Sequence, residues 1–451
     1  MHDLRKQVLL ESGKTVSRKA RSKTTTPPLS RGNSAAASPA GSRVASRAGS
    51  EDEGEFSDDT EWSTNSLDAS LELDPDEVDN AAWVADLEDR VEGIIDRKRS
   101  STEGREQRIG GLITVLSRHV AQRELKPKLG ELIPALLKSV KGGQSEAEVC
   151  FALKALALIL VTDPSEDLYD ELQRPFKSII NDTEGSAAKI AALHALSIAT
   201  FYGGATLDET QEVMEYFLDI ASSDGAMIGE EDNAHVVVAC LQEWGFLATQ
   251  LDDLEDVTEN AMDTFVDQLE SNDVGVQVAS GDNIALLYEA SAGDADSDDG
   301  EAENGDSESK SKSRYTVYRQ HHQLQKTLEG LVRSTSKRIS KQDRKHMRVE
   351  FRDVLSTIEV PTRGPRYSTA LDPETGREYG SRMKVAIHGL REQRKGASRS
   401  RFMLIDKWWQ LHRLNGLKRL LQGGFLVHYE FNQTVYDSLP DTVEDDDDDD
   451  Y

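Results

Sequence analysis

The chain has 451 residues, a formal net charge of −29, 37% hydrophobic and 30% charged residues. That is too polar for a wholly globular protein, so a sizeable part is expected to be unfolded. Only two cysteines occur, Cys150 and Cys240, both in apolar stretches, which excludes a disulfide framework and points to reduced thiols in a cytosolic or nuclear protein.

In chain order, residues 1–80 form a Ser-rich arm, basic over 1–50 (net +8) and then acidic over 51–80 (net −13). With almost no large apolar side chains it cannot offset its chain entropy and is expected to be disordered. Residues 1–23 are studded with charge and lack the apolar run of a signal peptide. The longest apolar stretch, 151–161, is interrupted by Lys154 and too short to span a bilayer. These features predict a soluble protein that stays inside the cell.

Residues 81–290 carry a recurring alanine-led pattern, beginning at Ala152, Ala192, Ala239 and Ala279. The intervals are 40, 47 and 40 residues, and HEAT or armadillo repeats recur at roughly 40 to 47. Val149, Leu153, Leu156 and Leu160 make a helical stripe after a capping-box pattern at Ser145 and Glu148, and Pro164, Gly185, Gly203, Gly204 and Gly225 punctuate the helices. About ten helices, paired antiparallel, are expected. The fold class predicted is all-α: an armadillo/HEAT-like helical solenoid, net −23, whose usual work is holding a partner.

An acidic spacer, 291–312, separates the solenoid from a basic, mainly helical region, 313–440; an acidic tail, 441–451, follows. Residues 310–440 have a net charge of +15. Within them 337–359 reads KRISKQDRKHMRVEFRDVLSTIE. On a helix, Lys337, Lys341, Arg344, Lys345, Arg348 and Arg352 fall within an arc of roughly 100°, beside an apolar stripe of Met347, Phe351, Val354 and Ile358. Such a face, with Arg338 adjoining it, suits an RNA or DNA backbone, read by charge and not by sequence. The alternatives are a solvated helix face, or a face that pairs with the acidic solenoid of the same chain; the basic residues around the segment favour nucleic acid.

Further arginines and lysines between Arg363 and Arg401 are interleaved with Tyr367, Tyr379 and Phe402, rings on which bases can stack. Residues 361–380 read as a loop. Leu404, Trp408, Leu411, Leu414, Leu417 and Leu421 follow at helical spacing, and of Trp408 and Trp409 one is expected in the core and the other exposed for a partner. Residues 425–439 lean to helix. His119, His194 and His235 have no Cys or His partner at ligand spacing, so no metal or cofactor is expected. No Walker loop, GxSxG or GxGxxG leading into a helix occurs, and the chain is not read as an enzyme.

Three segments, NDVGVQVASGDNIALLYEA (272–290), DRKHMRVEFRDVLSTIE (343–359, containing FRDVL) and IDKWWQLHRLNGLKRLLQGGFLVHYEFNQTV (405–435), make the chain resemble the interferon-related developmental regulator family. The resemblance covers about 81–439. It implies an armadillo-like body that associates with translationally inactive ribosomes, through rRNA and ribosomal proteins, from its C-terminal region. Trp409, Lys418, Arg419, His428 and Asn432 stand where that region would contact rRNA. It also implies a second activity, transcriptional co-regulation through nuclear co-repressor proteins held by the solenoid. A cytoplasmic monomer with a nuclear share is the expectation. The acidic tail, which is not part of the family pattern, is complementary in charge to the basic region and could mask it.

Overall fold

The computed structural model describes residues 82–97, 100–292, 314–333, 340–371, 373, 376, 378–387 and 401–444. The N-terminal arm, most of the acidic spacer and the tail beyond 444 therefore lie outside the described residues, as do Lys337 and Arg338.

Ten helices of 14 residues or more occupy 82–292: α1 (Ala82–Ile95), α2 (Thr102–Arg118), α3 (Leu129–Gly142), α4 (Glu146–Thr162), α5 (Leu168–Asp182), α6 (Ser186–Tyr202), α7 (Leu207–Ser222), α8 (Ala234–Ala248), α9 (Glu255–Gln268) and α10 (Val274–Ala292). Single turns such as Gln122–Leu125 connect them. Their starts are set by side-chain caps: the Ser101 and Ser145 hydroxyls accept from the Gly104 and Glu148 N–H groups, and Thr206 and Glu209 form a reciprocal capping box. At Ser145 the expected box is only half made. The Glu148 carboxylate turns inward to Arg97 (2.9 Å), Arg105 (2.7 Å) and Ser139 (2.9 Å). Burial would raise its pKa, but these partners more than reverse that and hold it below the usual carboxylate range.

Consecutive helices pair, and the second helix of each pair packs on the second helix of the next, so α2, α4, α6, α8 and α10 form an inner row. The array does not stop at 292. Beyond the spacer, α11 (His321–Arg333) and α12 (Lys341–Glu359) make a sixth pair, with α12 packed on α10. The basic helix is thus the last inner helix of the solenoid and not part of a separate region.

The inner helices α4 and α6 are buried on every side over most of their length. Each residue of 152–162 and of 188–200 is buried. Outer helices cover one side of this row. The other is covered by a C-terminal strap: α13 (Trp408–Leu421), a 3₁₀ turn (Gln422–Gly424), α14 (Phe425–Phe431) and α15 (Gln433–Asp437). The strap runs back along α10, α8 and α4 to α2. Helix is therefore correct for 425–437, but Leu404, read as part of the helical stripe, lies in a strand.

The stretch read as a loop contains strands. β1 (Tyr367–Leu371) and β2 (Glu378–Ser381) form an antiparallel ribbon of their own. β3 (Met383–Ile387), β4 (Arg401–Ile405) and β5 (Thr442–Glu444) form a second antiparallel sheet, with Met383 opposite Ile405 and Arg401 opposite Glu444. The alternation Met383, Val385, Ile387 is the period-two signal that accounts for β3.

Candidate nucleic-acid interface

Helix α12 is divided into three flanks by its sequence. Met347, Phe351, Val354 and Ile358 are all buried, and Phe351 and Val354 pack so close to Gly281 of α10 that a Cβ there would sit 2.9 Å from the Phe351 ring. On the second flank Glu350 and Asp353 receive Arg366, at 2.7 and 3.5 Å. Burial pushes the Asp353 carboxyl up to about 7 in spite of that guanidinium. The third flank is cationic: Lys345, Arg348 and Arg352 are exposed and Arg344 is half-buried, its Nε donating to the Ser340 carbonyl at 3.3 Å. Lys341 opens the helix, behind the Ser340 cap. Among the described residues α12 packs chiefly on α10 and α11, so this flank faces outward at the end of the array.

The five C-terminal residues implied by resemblance stand in the strap, and three are interior. Arg419 is 4% exposed and ion-pairs with Glu243 of α8, which also accepts from His194 Nδ1 at 2.6 Å. Burial would raise the Glu243 carboxyl, but Arg419 and the His194 hydrogen bond outweigh it and hold it down to about 2. Burial lowers His194, against the hydrogen bond to Glu243, which favours its protonated form.

His428 and Asn432 close helix ends. His428 Nε2 donates to the Leu116 carbonyl (2.8 Å) and Asn432 Nδ2 to the Val161 carbonyl (3.0 Å). Both carbonyls lie in the last turns of α2 and α4, where no helical N–H reaches them. With Nε2 as donor, His428 Nδ1 is left to accept from Asn432 Nδ2 at 3.2 Å. Arg413 does the same for α8, donating to the Thr249 carbonyl at 2.7 Å.

The remaining two are half-buried. The Trp409 ring lies under the Arg413 guanidinium at 4.9 Å, and the Lys418 ammonium lies over Phe425 at 5.6 Å. Trp408 is fully buried, its Nε1 donating to Thr357 of α12 at 2.8 Å. The backbone N–H groups of Trp408 and Trp409 reach the Glu289 carboxylate at 2.8 and 3.2 Å, which caps α13 from α10. Burial raises Glu289 to about 7 against those bonds.

Sequence reasoning therefore brought one cationic flank to the surface and placed three interior residues, Arg419, His428 and Asn432, among candidate contacts. The signal for the strap was present: helices apolar almost all round, such as 152–161 with Lys154 as its one charged residue, need cover on both sides. Of the interleaved aromatics, Tyr379 is exposed, with the Arg382 guanidinium over its ring at 4.2 Å, whereas Tyr367 is half-buried and Phe402 buried under Lys384. Among the described residues no group of three or more His, Cys, Asp or Glu side chains could hold a metal, and no helix is long and apolar enough to cross a membrane.

Residues 53–359 match the family described as Interferon-related developmental regulator, and the match ends on the last residue of α12. An uncharacterized protein of Schizosaccharomyces pombe is 28% identical over 284 residues, covering 62% of each chain, so the match spans less than two thirds of that relative's length. Interferon-related developmental regulator 1 of Mus musculus is 22% identical over 374 residues, 80% of this chain and 73% of the relative. The Homo sapiens protein of that name is 22% identical over 372 residues, 80% and 72% of the two chains. Matched across the helical array and through the basic helix that closes it, the chain belongs to the interferon-related developmental regulator family.

Proposed function

We propose that the protein is a non-enzymatic regulator that binds translationally inactive ribosomes in the cytoplasm through phosphate contacts from the basic end of its helical array. The observation that carries this reading is the division of α12: its apolar flank is seated on α10, Glu350 and Asp353 are held by Arg366, and Lys345, Arg348 and Arg352 point outward. A cationic flank on an acidic body attracts RNA phosphates while the rest of the surface repels them. Arg419, His428 and Asn432 are left out of this interface, because their polar atoms serve the fold.

The alternative, a nuclear co-repressor scaffold working through the solenoid groove, is disfavoured by the strap. The inner row, where a peptide would lie, is already covered by α13, α14 and α15.

The test is the triple variant Lys345→Glu, Arg348→Glu and Arg352→Glu, followed by sucrose-gradient sedimentation of cell lysate with and without RNase at two salt concentrations. Wild type should travel with single ribosomes and leave them at high salt. The variant should remain at the top of the gradient, and in a purified RNA-binding assay its salt dependence should be shallower by roughly two in the log–log slope. Unchanged co-migration of the variant would overturn the reading.

A further inference from the structure

The β1–β2 ribbon is not explained by the array, the strap or the cationic flank of α12. A two-stranded ribbon is marginally stable alone in water, and this one leaves Leu371 63% and Tyr379 44% exposed. Its root, by contrast, is firmly held. Arg366, in the left-handed region at φ 56°, is fixed by Glu350 and Asp353, and its N–H donates to Asp353 at 3.2 Å. Gly364 lies against the Asp406 carbonyl with no room for a Cβ. The Ser381 hydroxyl lies 2.7 Å from the carbonyls of both Pro365 and Ile405. An anchored root with an exposed outer half is the construction of an arm.

One pairing recurs at the base of the arm and on the neighbouring β3–β4 sheet. The Arg363 guanidinium lies over the Tyr367 ring at 5.3 Å, Arg382 over Tyr379 at 4.2 Å, and the Lys384 ammonium over Phe402 at 3.8 Å. Tyr367 is further tied down, donating its hydroxyl to Glu378 at 2.9 Å, and Phe402 is buried. Tyr379 is different: one cation lies over its ring and nearly half of its surface faces solvent. A ring beside a guanidinium at a projecting edge offers a stacking surface and a phosphate contact within one nucleotide's reach, the pair of contacts that unpaired nucleic acid accepts. A duplex keeps its bases stacked on each other and can use only the charge.

We infer that the ribbon is a single-stranded RNA arm, with Tyr379 stacking an unpaired base and Arg382 holding the adjacent phosphate. This rests on the proposed ribosome-binding function and deepens it by naming unpaired segments as what the arm takes.

The experiment uses the full chain with a fluorescent oligouridylate and with an RNA duplex of the same length, read by anisotropy at two salt concentrations. Tyr379→Ala should weaken oligouridylate binding about tenfold, within the range for loss of one stacked base, with the salt slope and duplex affinity unchanged. Tyr379→Phe should bind like wild type, since stacking needs the ring and not the hydroxyl. Tyr379 is exposed, so thermal unfolding of the variants should match wild type and excludes misfolding as the cause. Equal affinity of wild type and Tyr379→Ala for oligouridylate would overturn the arm while leaving the α12 interface intact, and so would an equal loss on single strand and duplex. Failure of wild type to bind either RNA would overturn both readings together.

Discussion

Removing the strap's internal cation should destabilise the fold far more than removing the whole ion pair. In Arg419→Met the Glu243 carboxylate, 2% exposed, keeps the His194 hydrogen bond at 2.6 Å but loses the Arg419 guanidinium. If its pKa returns from about 2 to the ordinary 4.5, the lost charge stabilisation is roughly 3 kcal/mol at about 1.4 kcal/mol per pH unit. That agrees with the ~3–5 kcal/mol typical of breaking a buried pair from one side. For an ordered body of this size, at about 2.1 cal/mol/K of unfolding entropy per residue, it corresponds to a fall in Tm of roughly 5 °C. The double variant Arg419→Met, Glu243→Gln removes both charges of the pair and should recover most of the loss, giving a coupling of about 2 kcal/mol or more. Thermal and guanidinium unfolding, followed by circular dichroism, measures all four corners of the cycle. A single variant within about 1 kcal/mol of wild type, or a double variant as unstable as the sum of the singles, would refute the claim that Arg419 is a structural cation of the strap.

Two further outcomes concern the same interface. Burial lowers His412 and His428 to about 4, so the unfolded chain takes up protons first and these two lose stability as pH falls from 6.5 toward 4; Glu289 and Asp353, raised by burial to about 7, gain it over nearly the same window. Relative to wild type, Glu289→Gln should therefore lose stability toward acid between about pH 4.5 and 6.5, by up to about 1.4 kcal/mol per pH unit in urea unfolding; a variant whose pH profile parallels wild type would contradict the assignment. Gly416→Ala should destabilise by about 1–2 kcal/mol in thermal unfolding although alanine favours helix, because its Cβ would stand 2.6 Å from the fully buried Phe246 ring.

The repeat body was legible because small residues return at fixed intervals wherever inner helices approach each other, and such spacing survives without knowledge of tertiary contacts. The sixth pair was obscured by composition. The acidic spacer looks like a boundary between domains, yet α12 docks on α10 across it through Met347, Phe351 and Val354. Alternation at Met383, Val385 and Ile387 marked a strand that the prolines and glycines nearby masked. The strap was hidden for a different reason. Arg419, His428 and Asn432 are polar residue types that serve equally as RNA contacts or as partners for helix ends, and only the positions of Glu243 and of the Leu116 and Val161 carbonyls decide between the two.

That ambiguity bears on how the basic region should be counted. A net charge of +15 over 310–440 suggests one broad anion-binding surface, but its cations have separate duties. Arg366 neutralises Glu350 and Asp353, Arg413 closes α8, and Arg419 balances Glu243. Each offsets the cost of burying a polar group, so none is available to a phosphate without disturbing the fold. Exposed cations among the described residues include Arg314, Arg319, Lys326 and Arg333 around α11, the edge bearing Arg382 and Lys384, and the flank of Lys345, Arg348 and Arg352. On α12 these lie on a different side from Glu350 and Asp353, which hold the root of the ribbon, so the helix and the ribbon present two surfaces and not one. A charge reversal on α12 and a stacking variant at Tyr379 should therefore act independently. Their losses in single-stranded RNA affinity should add in the combined variant, as expected for sites without shared partners, whereas a combined loss no greater than either alone would mean that both belong to a single contact.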